Sequence, residues 1–181
     1  MDIFLPLLLA IGQIFNYAPY ATDYVSSSCG GDCALVATIH MLEQTYRYQF
    51  DDPDNPINLD EKYMAQVYSE MCNEGFDIST LLHHAREEGI PDENTGELYF
   101  IRELVYVDVI SHDQVCQVGA VTGGMVINQF GIDYGHSLSL VGCLDDGETY
   151  LVNANFGTYA PILHQTDNRW TSPLAYTVVW K

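Results

Sequence analysis

The stretch CGGDCALVATIHML at residues 29–42 decides how the first half of the chain folds. Its two glycines predict a turn, Asp32 is a preferred helix N-cap, and the residues from Cys33 onward are apolar almost all round. We therefore predict a buried central helix that begins at Cys33. A thiol at a helix N-terminus ionises more readily, because the helix dipole favours the thiolate. Cys33 is thus a candidate nucleophile, and a buried structural cysteine is the alternative interpretation.

The spacing of apolar residues changes near residue 98. Before that point, helical spacing predicts helices at residues 59–72 and 78–88, the second one capped by Asp77 and ended by Gly89. After it, segments rich in β-branched and aromatic residues, separated by Gly, Asp and Pro, are typical of strands. The predicted strands lie at residues 100–110, 124–127, 136–143, 150–153 and 175–180.

Helices followed by strands indicate an α+β fold. We predict one domain over residues 1–181, with a helical lobe at about residues 20–95, a β lobe at about residues 96–181 and a cleft between them. The chain has 181 residues, 48% of them hydrophobic, which suffices for a core and excludes intrinsic disorder. Its 25 Asp and Glu outnumber its 6 Lys and Arg, giving a net charge of -19. Such a surface repels phosphate backbones, so we expect no nucleic-acid partner.

The apolar segment at residues 3–11 leaves two interpretations open. It is either the core of a signal peptide occupying about residues 1–15 or a buried N-terminal segment. Asp2 stands where a signal peptide usually carries basic residues, and the segment is too short to span a bilayer. We expect no stable membrane span.

The cysteines and histidines offer no metal-site pattern. The five cysteines, an odd number, include no C-x-x-C pair, so a zinc site is not predicted. His83 and His84 are adjacent on a predicted helix and point to different faces, which suits no shared metal. We expect neither a metal nor another cofactor.

His136 and two asparagines could complete a nucleophilic site with Cys33. His136 opens the alternating segment HSLSLVG at residues 136–142, and Asn153 and Asn155 lie on the next strand-like segment. A strand that pairs with the histidine strand can place an Asn amide beside the imidazole and fix its orientation. An ordinary histidine at a strand end is the alternative interpretation of His136 alone.

Five motifs, in this order, resemble those of papain-type cysteine peptidases over roughly residues 20–165. CGGDCAL at residues 29–35 resembles the nucleophile motif C-G-S-C-W-A-F with one residue inserted, and GHSL at residues 135–138 resembles D-H-A-V. The others are MCNEGF at residues 71–76, GGMV at 123–126 and NANFGT at 153–158, which resemble G-C-N-G-G-Y, R-G-G-I and K-N-S-W-G-T.

The resemblance implies a papain-like two-lobe fold and hydrolysis of peptide bonds through a thioester. Cys33 would be the nucleophile, His136 the acid–base, and an Asn the group that orients it. It also implies a monomer that acts on peptides or proteins, a Cys29–Cys72 disulfide, and a secreted or lysosome-like or vacuole-like location.

The sequence departs from the family pattern at two functional positions. Ser27, or Ser26 in the register of Cys29, stands where the family has its oxyanion-hole Gln. Alignment on W-G-T puts Ala154 at the position of the orienting Asn, whereas the V-N-W-G-W-G-G pattern of streptopain-like relatives selects Asn153. Because Asn153 and Asn155 share strand parity, we expect that either could face His136 and that Ala154 could not. Our prediction is Asn153, with Asn155 as the alternative.

Two other functions stay open. Loss of the Gln and displacement of the Asn are what a catalytically silent peptide-binding or protein-binding member of this fold would show. A cysteine acyltransferase on the same fold is the other alternative.

Overall fold

The computed structural model describes residues 15–16, 33–108, 120–129, 132–143, 149–153, 159–164 and 174–181. Side chains are described at residues 33–105, 137–140 and 176–181. The N-terminal apolar segment, the turn before Cys33 and the segment after Asn153 that includes Asn155 lie outside these residues.

The helices precede most of the sheet, as predicted. Helix α1 is Cys33–Gln49, α2 is Glu61–Val67, a 3-10 turn follows at Ser69–Cys72, and α3 is Ile78–Glu87. None of the helices in the described part is long and apolar enough to cross a bilayer.

The ends of α3 agree with the sequence signals. Asp77 caps it by accepting a hydrogen bond from the Thr80 amide at 2.7 Å. Gly89 ends it with φ +80°, and a Cβ at this glycine would lie 2.9 Å from the Phe100 ring. Both the left-handed backbone and the close ring therefore require glycine.

Helix α1 is the centre of the core, because its residues 34–45 are all buried. Its second half also fixes the connection to α2 through buried or half-buried charges. The Glu43 carboxylate accepts a hydrogen bond from the Leu59 amide at 2.8 Å. The Arg47 guanidinium donates to the carbonyls of Asn55 at 3.0 Å and Ile57 at 2.9 Å. These contacts satisfy backbone groups of a loop that has no regular structure of its own.

Seven strands of the described part form one antiparallel sheet in the order β4-β9-β5-β6-β7-β8, with β1 also paired to β6. A separate pair joins β2, Ile90–Pro91, to β3, Leu98–Tyr99. The sheet strands are β1, Phe15–Asn16; β4, Ile101–Asp108; β5, Ala120–Gln129; β6, Ile132–Cys143; β7, Thr149–Asn153; β8, Tyr159–His164; and β9, Leu174–Trp180. The α+β architecture, with helices first and antiparallel strands after, is confirmed.

Two irregularities interrupt the pairing of β6 with its neighbours. The β5–β6 ladder shifts by one residue at Gly123–Gly124, between the pairs Thr122–Leu138 and Met125–His136. The β6–β7 ladder shifts at Val141, between Leu140 and Gly142. Such bulges bend the bulged strand and increase its local twist, so the ladders on both sides of β6 depart from a flat pairing.

Candidate active site

Cys33 is the first residue of α1, as predicted from its sequence context. It is partly buried and is not in a disulfide. The first amides of a helix have no partner within the helix, and together with the dipole they favour an anion such as a thiolate. Because residues 34–45 of α1 are buried in the core, the position of this first turn is fixed as well.

His136 lies within β6, paired with Met125 across the ladder. The Gly123–Gly124 bulge of the partner strand β5 faces Ser137, so His136 lies directly beside it. Bulges occur often beside active sites, where they change the aim of a side chain. The structure gives the backbone position of His136, whereas its side chain lies outside the described part.

Helix α1 is tied to the sheet at two places. The Gln44 amide Nε2 donates to the carbonyl of Leu140 on β6 at 2.6 Å. Five residues further along the helix, Gln49 Oε1 accepts from the Trp180 amide of β9 at 2.8 Å. The indole N–H of Trp180 also donates to Thr45 Oγ1 at 3.2 Å. These contacts fix both the position and the direction of the helix on the sheet.

The direction follows from the strand register. Strands β6 and β9 both run antiparallel to β5 and are therefore parallel to each other. Val121 of β5 pairs with Ser139 of β6 on one side and Tyr176 of β9 on the other. Trp180 is therefore further along the common strand direction than Leu140. Since Trp180 contacts the end of α1 and Leu140 contacts its middle, α1 runs in the same direction as β6.

The start of α1 consequently reaches the level of His136. From Gln44 back to Cys33 the helix spans about 16 Å at ~1.5 Å per residue. From Leu140 back to His136 the strand spans about 13 Å at ~3.3 Å per residue. Cys33 and Gln44 also lie about three helical turns apart and so share one stripe of the helix, the stripe that faces β6. From these lengths we expect the backbone positions of Cys33 and His136 to lie toward the same end of the helix–sheet interface.

Asn153 is the last residue of β7 and pairs with Ser139. Because strand positions alternate between faces, position 153 belongs with Ser139, whereas position 136 belongs to the opposite face. Ala154 and Asn155 lie outside the described residues, so the expectation that Asn153 or Asn155 shares the face of position 136 stays a prediction. The bulge at Val141 bears on this expectation, because one extra residue in β6 changes which β7 positions match it. The role of Asn153 as the group that orients His136 stays a prediction.

Gln44 and Glu43 are buried polar residues that the sequence interpretation missed. Each is 1% exposed, and each binds a backbone group of another segment. The available signal was the position of Gln44, a polar residue on the same helical stripe as Cys33 and directly after the apolar first half of the helix.

The predicted disulfide joins Cys72, which is described, to Cys29, which is not. Cys72 is disulfide-bonded, and its partner is not among the cysteines whose side chains are described. Cys29 lies outside the described residues, as do both oxyanion-hole candidates, Ser26 and Ser27. The Cys29–Cys72 pairing stays a prediction.

The sequence matches no known family profile and no curated protein sequence. Its fold, however, is similar to that of digestive procathepsin L2 from the larval midgut of Tenebrio molitor, with a TM-score of 0.72 and 12% identity, over 91% of this chain and 67% of that one. It is also similar to the Carica candamarcensis cysteine protease CMS1MS2 in complex with E-64, with a TM-score of 0.66 and 10% identity, over 91% and 97% of the two chains.

A further similarity is to the bromelain protease from Ananas comosus in complex with E64, with a TM-score of 0.66 and 10% identity, over 92% and 98% of the two chains. At such identities the likeness concerns the fold alone. The papain-like α+β fold that the motifs implied is therefore confirmed.

Proposed function

We propose that this protein is a cysteine peptidase that hydrolyses peptide bonds with Cys33 and His136 as its catalytic residues. The observation that supports the proposal is the attachment of α1 to the sheet through Gln44 and Gln49, from which we infer that Cys33 and the backbone of His136 lie toward the same end of the interface. Alternation alone would turn position 136 away from the face of Ser139. The Gly123–Gly124 bulge of β5 lies opposite Ser137, next to His136, and bulges are common beside active sites.

The proposed reaction uses only groups of the chain and water. The Cys33 thiolate attacks the peptide carbonyl, and the Cys33 amide, with a second donor at Ser27 or Ser26, stabilises the oxyanion. As the C–N bond breaks, the His136 imidazolium gives its proton to the leaving amine and a thioester remains. His136 then takes a proton from the water that attacks the thioester, which releases the acid and restores the thiolate. Every proton and electron pair is accounted for without a metal or cofactor.

We propose Asn153 as the group that orients the His136 ring. Replacing Asn153 with Ala is expected to lower kcat by about tenfold, a part of the roughly 10²–10⁴-fold that general acid–base catalysis contributes. Asn155→Ala is expected to lower it less. Steady-state kinetics on one peptide substrate measures both. The reverse order of effects would assign the role to Asn155, and equal activity of all three proteins would show that strand alternation keeps both asparagines away from the ring.

The same register favours one alternative function, which is peptide binding without turnover. An enzyme of this fold with a poorly oriented histidine and no Gln in its oxyanion hole would bind peptides and turn them over slowly, if at all. Product analysis distinguishes the two, because only the peptidase releases a new amine and a new carboxylate.

Several finer assignments belong to the same proposal. The substrate is a peptide or protein, the active form is a monomer, and Cys29 is the partner of Cys72. A disulfide at Cys72 supports an oxidising location, which we propose to be the secretory route or a lysosome-like compartment.

Covalent labelling tests the proposal directly. Two of the similar structures contain E-64, an epoxide inhibitor, in complex with the protease. A thiolate opens such a ring by forming a C–S bond as a C–O bond breaks. We expect a single E-64 adduct, mapped by mass spectrometry to the peptide that contains Cys33, together with hydrolysis of a fluorogenic peptide. Labelling that occurs only in denatured protein, or at Cys116 or Cys143 instead, would contradict the proposal.

A further inference from the structure

Gln44 makes an unusual buried contact between the helix that starts at Cys33 and the strand that contains His136. Its side chain is 1% exposed, and its Nε2 lies 2.6 Å from the Leu140 carbonyl oxygen. Because this amide–carbonyl hydrogen bond is buried, loss of either partner leaves a desolvated polar group behind. The contact therefore resists any sliding of the helix along the strand.

The accepting carbonyl lies beside a break in the ladder. Leu140 precedes Val141, the extra residue in β6 where its pairing with β7 shifts. A bulge disturbs the local backbone hydrogen bonds and bends its strand, so the strand position at this point needs support from outside the ladder. Gln44 supplies a donor at that place.

We infer that Gln44 is a positioning residue, which holds β6 at the bulge and thereby sets the separation between Cys33 and His136. The inference rests on the proposed function. Gln44 itself is about three helical turns from Cys33 and touches no reacting atom, so its effect passes through the rigid helix and strand. An ion pair of thiolate and imidazolium is sensitive to such a change, because displacing a reacting group by about 1 Å can cost on the order of 10²-fold in rate.

The test compares Gln44→Met, which keeps the side-chain length but has no donor, with Gln49→Met as the matched control. Gln49 also joins α1 to the sheet, but at the far end of the helix from Cys33. We expect Gln44→Met to lower kcat about tenfold or more with KM changed less than about twofold. We also expect it to lower the rate of Cys33 alkylation by iodoacetamide at about pH 5.5, where reactivity depends on the ion pair. Gln49→Met, which removes a contact that also helps to place the helix, is expected to change both properties much less than Gln44→Met does, even if its melting temperature falls as much.

A second variant keeps the inference testable if Gln44→Met fails to fold. In Gln44→Glu the carboxyl can donate to Leu140 only when protonated, and burial raises the pKa of a carboxyl. Its alkylation rate relative to the unmodified protein should therefore be highest at acidic pH and fall as the pH rises. A constant ratio, or an unchanged pH profile in Gln44→Met, would overturn the inference while the peptidase proposal stands. An unmodified protein that neither labels nor hydrolyses peptides would overturn the proposed function first.

Discussion

Replacement of Cys33 by Ala is expected to abolish peptide hydrolysis, with a loss in kcat/KM on the order of 10⁴-fold or more, as for other enzymes that lose their nucleophile. The reason is chemical, because Ala offers no atom that can form the thioester. The folded structure should change little, since Cys33 is only partly buried and lies at the first position of α1. The measurement is steady-state hydrolysis of a fluorogenic peptide, with thermal unfolding of the same sample.

Two control variants sharpen this comparison. Cys33→Ser keeps a polar side chain at the helix start and should bind peptide but fail to form the E-64 adduct. Cys116→Ala removes a different thiol and should keep full activity. Hydrolysis that survives in Cys33→Ala would assign the reaction to another nucleophile. If hydrolysis were lost in Cys116→Ala alone, Cys116 would be that nucleophile.

The order of helices and strands could be predicted because their signals are local. The helix start at Cys33 and the Asp77 cap depend on residues within one turn of each other, and both are confirmed. The strand predicted at residues 124–127 extends over Ala120–Gln129, because the ladder continues across Gly123–Gly124 as a bulge. Strand β8 was missed because Pro161 interrupts its pattern, which a strand at the edge of a sheet tolerates.

The site was harder to predict because it depends on contacts between distant segments. The sequence motifs named Cys33 and His136, but no local pattern shows that α1 runs parallel to β6. That result required the contacts of Gln44 and Gln49 with two different strands. The parity argument for Asn153 depends on such contacts as well, since one inserted residue in β6 changes the matching face and leaves no mark in the alternation of β7.

Replacement of His136 by Ala is expected to lower kcat by about 10²–10⁴-fold, the usual contribution of a general acid–base. It should also change the pH dependence of Cys33 itself, because the imidazolium that stabilises the thiolate is lost. In the unmodified protein we expect rapid alkylation of Cys33 at about pH 5.5. In His136→Ala the rate should rise only toward the range of an ordinary thiol, whose pKa is about 8.5. The helix N-terminus remains in the variant, so some of the thiolate stabilisation should persist.

His83→Ala is the matched control, because His83 is exposed on α3 and should affect neither property. Alkylation by iodoacetamide across a pH series, with kcat for the same preparations, separates the two roles of the histidine. A variant that loses turnover but keeps fast alkylation at acidic pH would mean that His136 transfers protons without stabilising the thiolate. A His136→Ala protein that keeps both its kcat and its fast alkylation at acidic pH would contradict the pairing of Cys33 with His136. The alignment of the start of α1 with position 136 would then be a property of the fold alone.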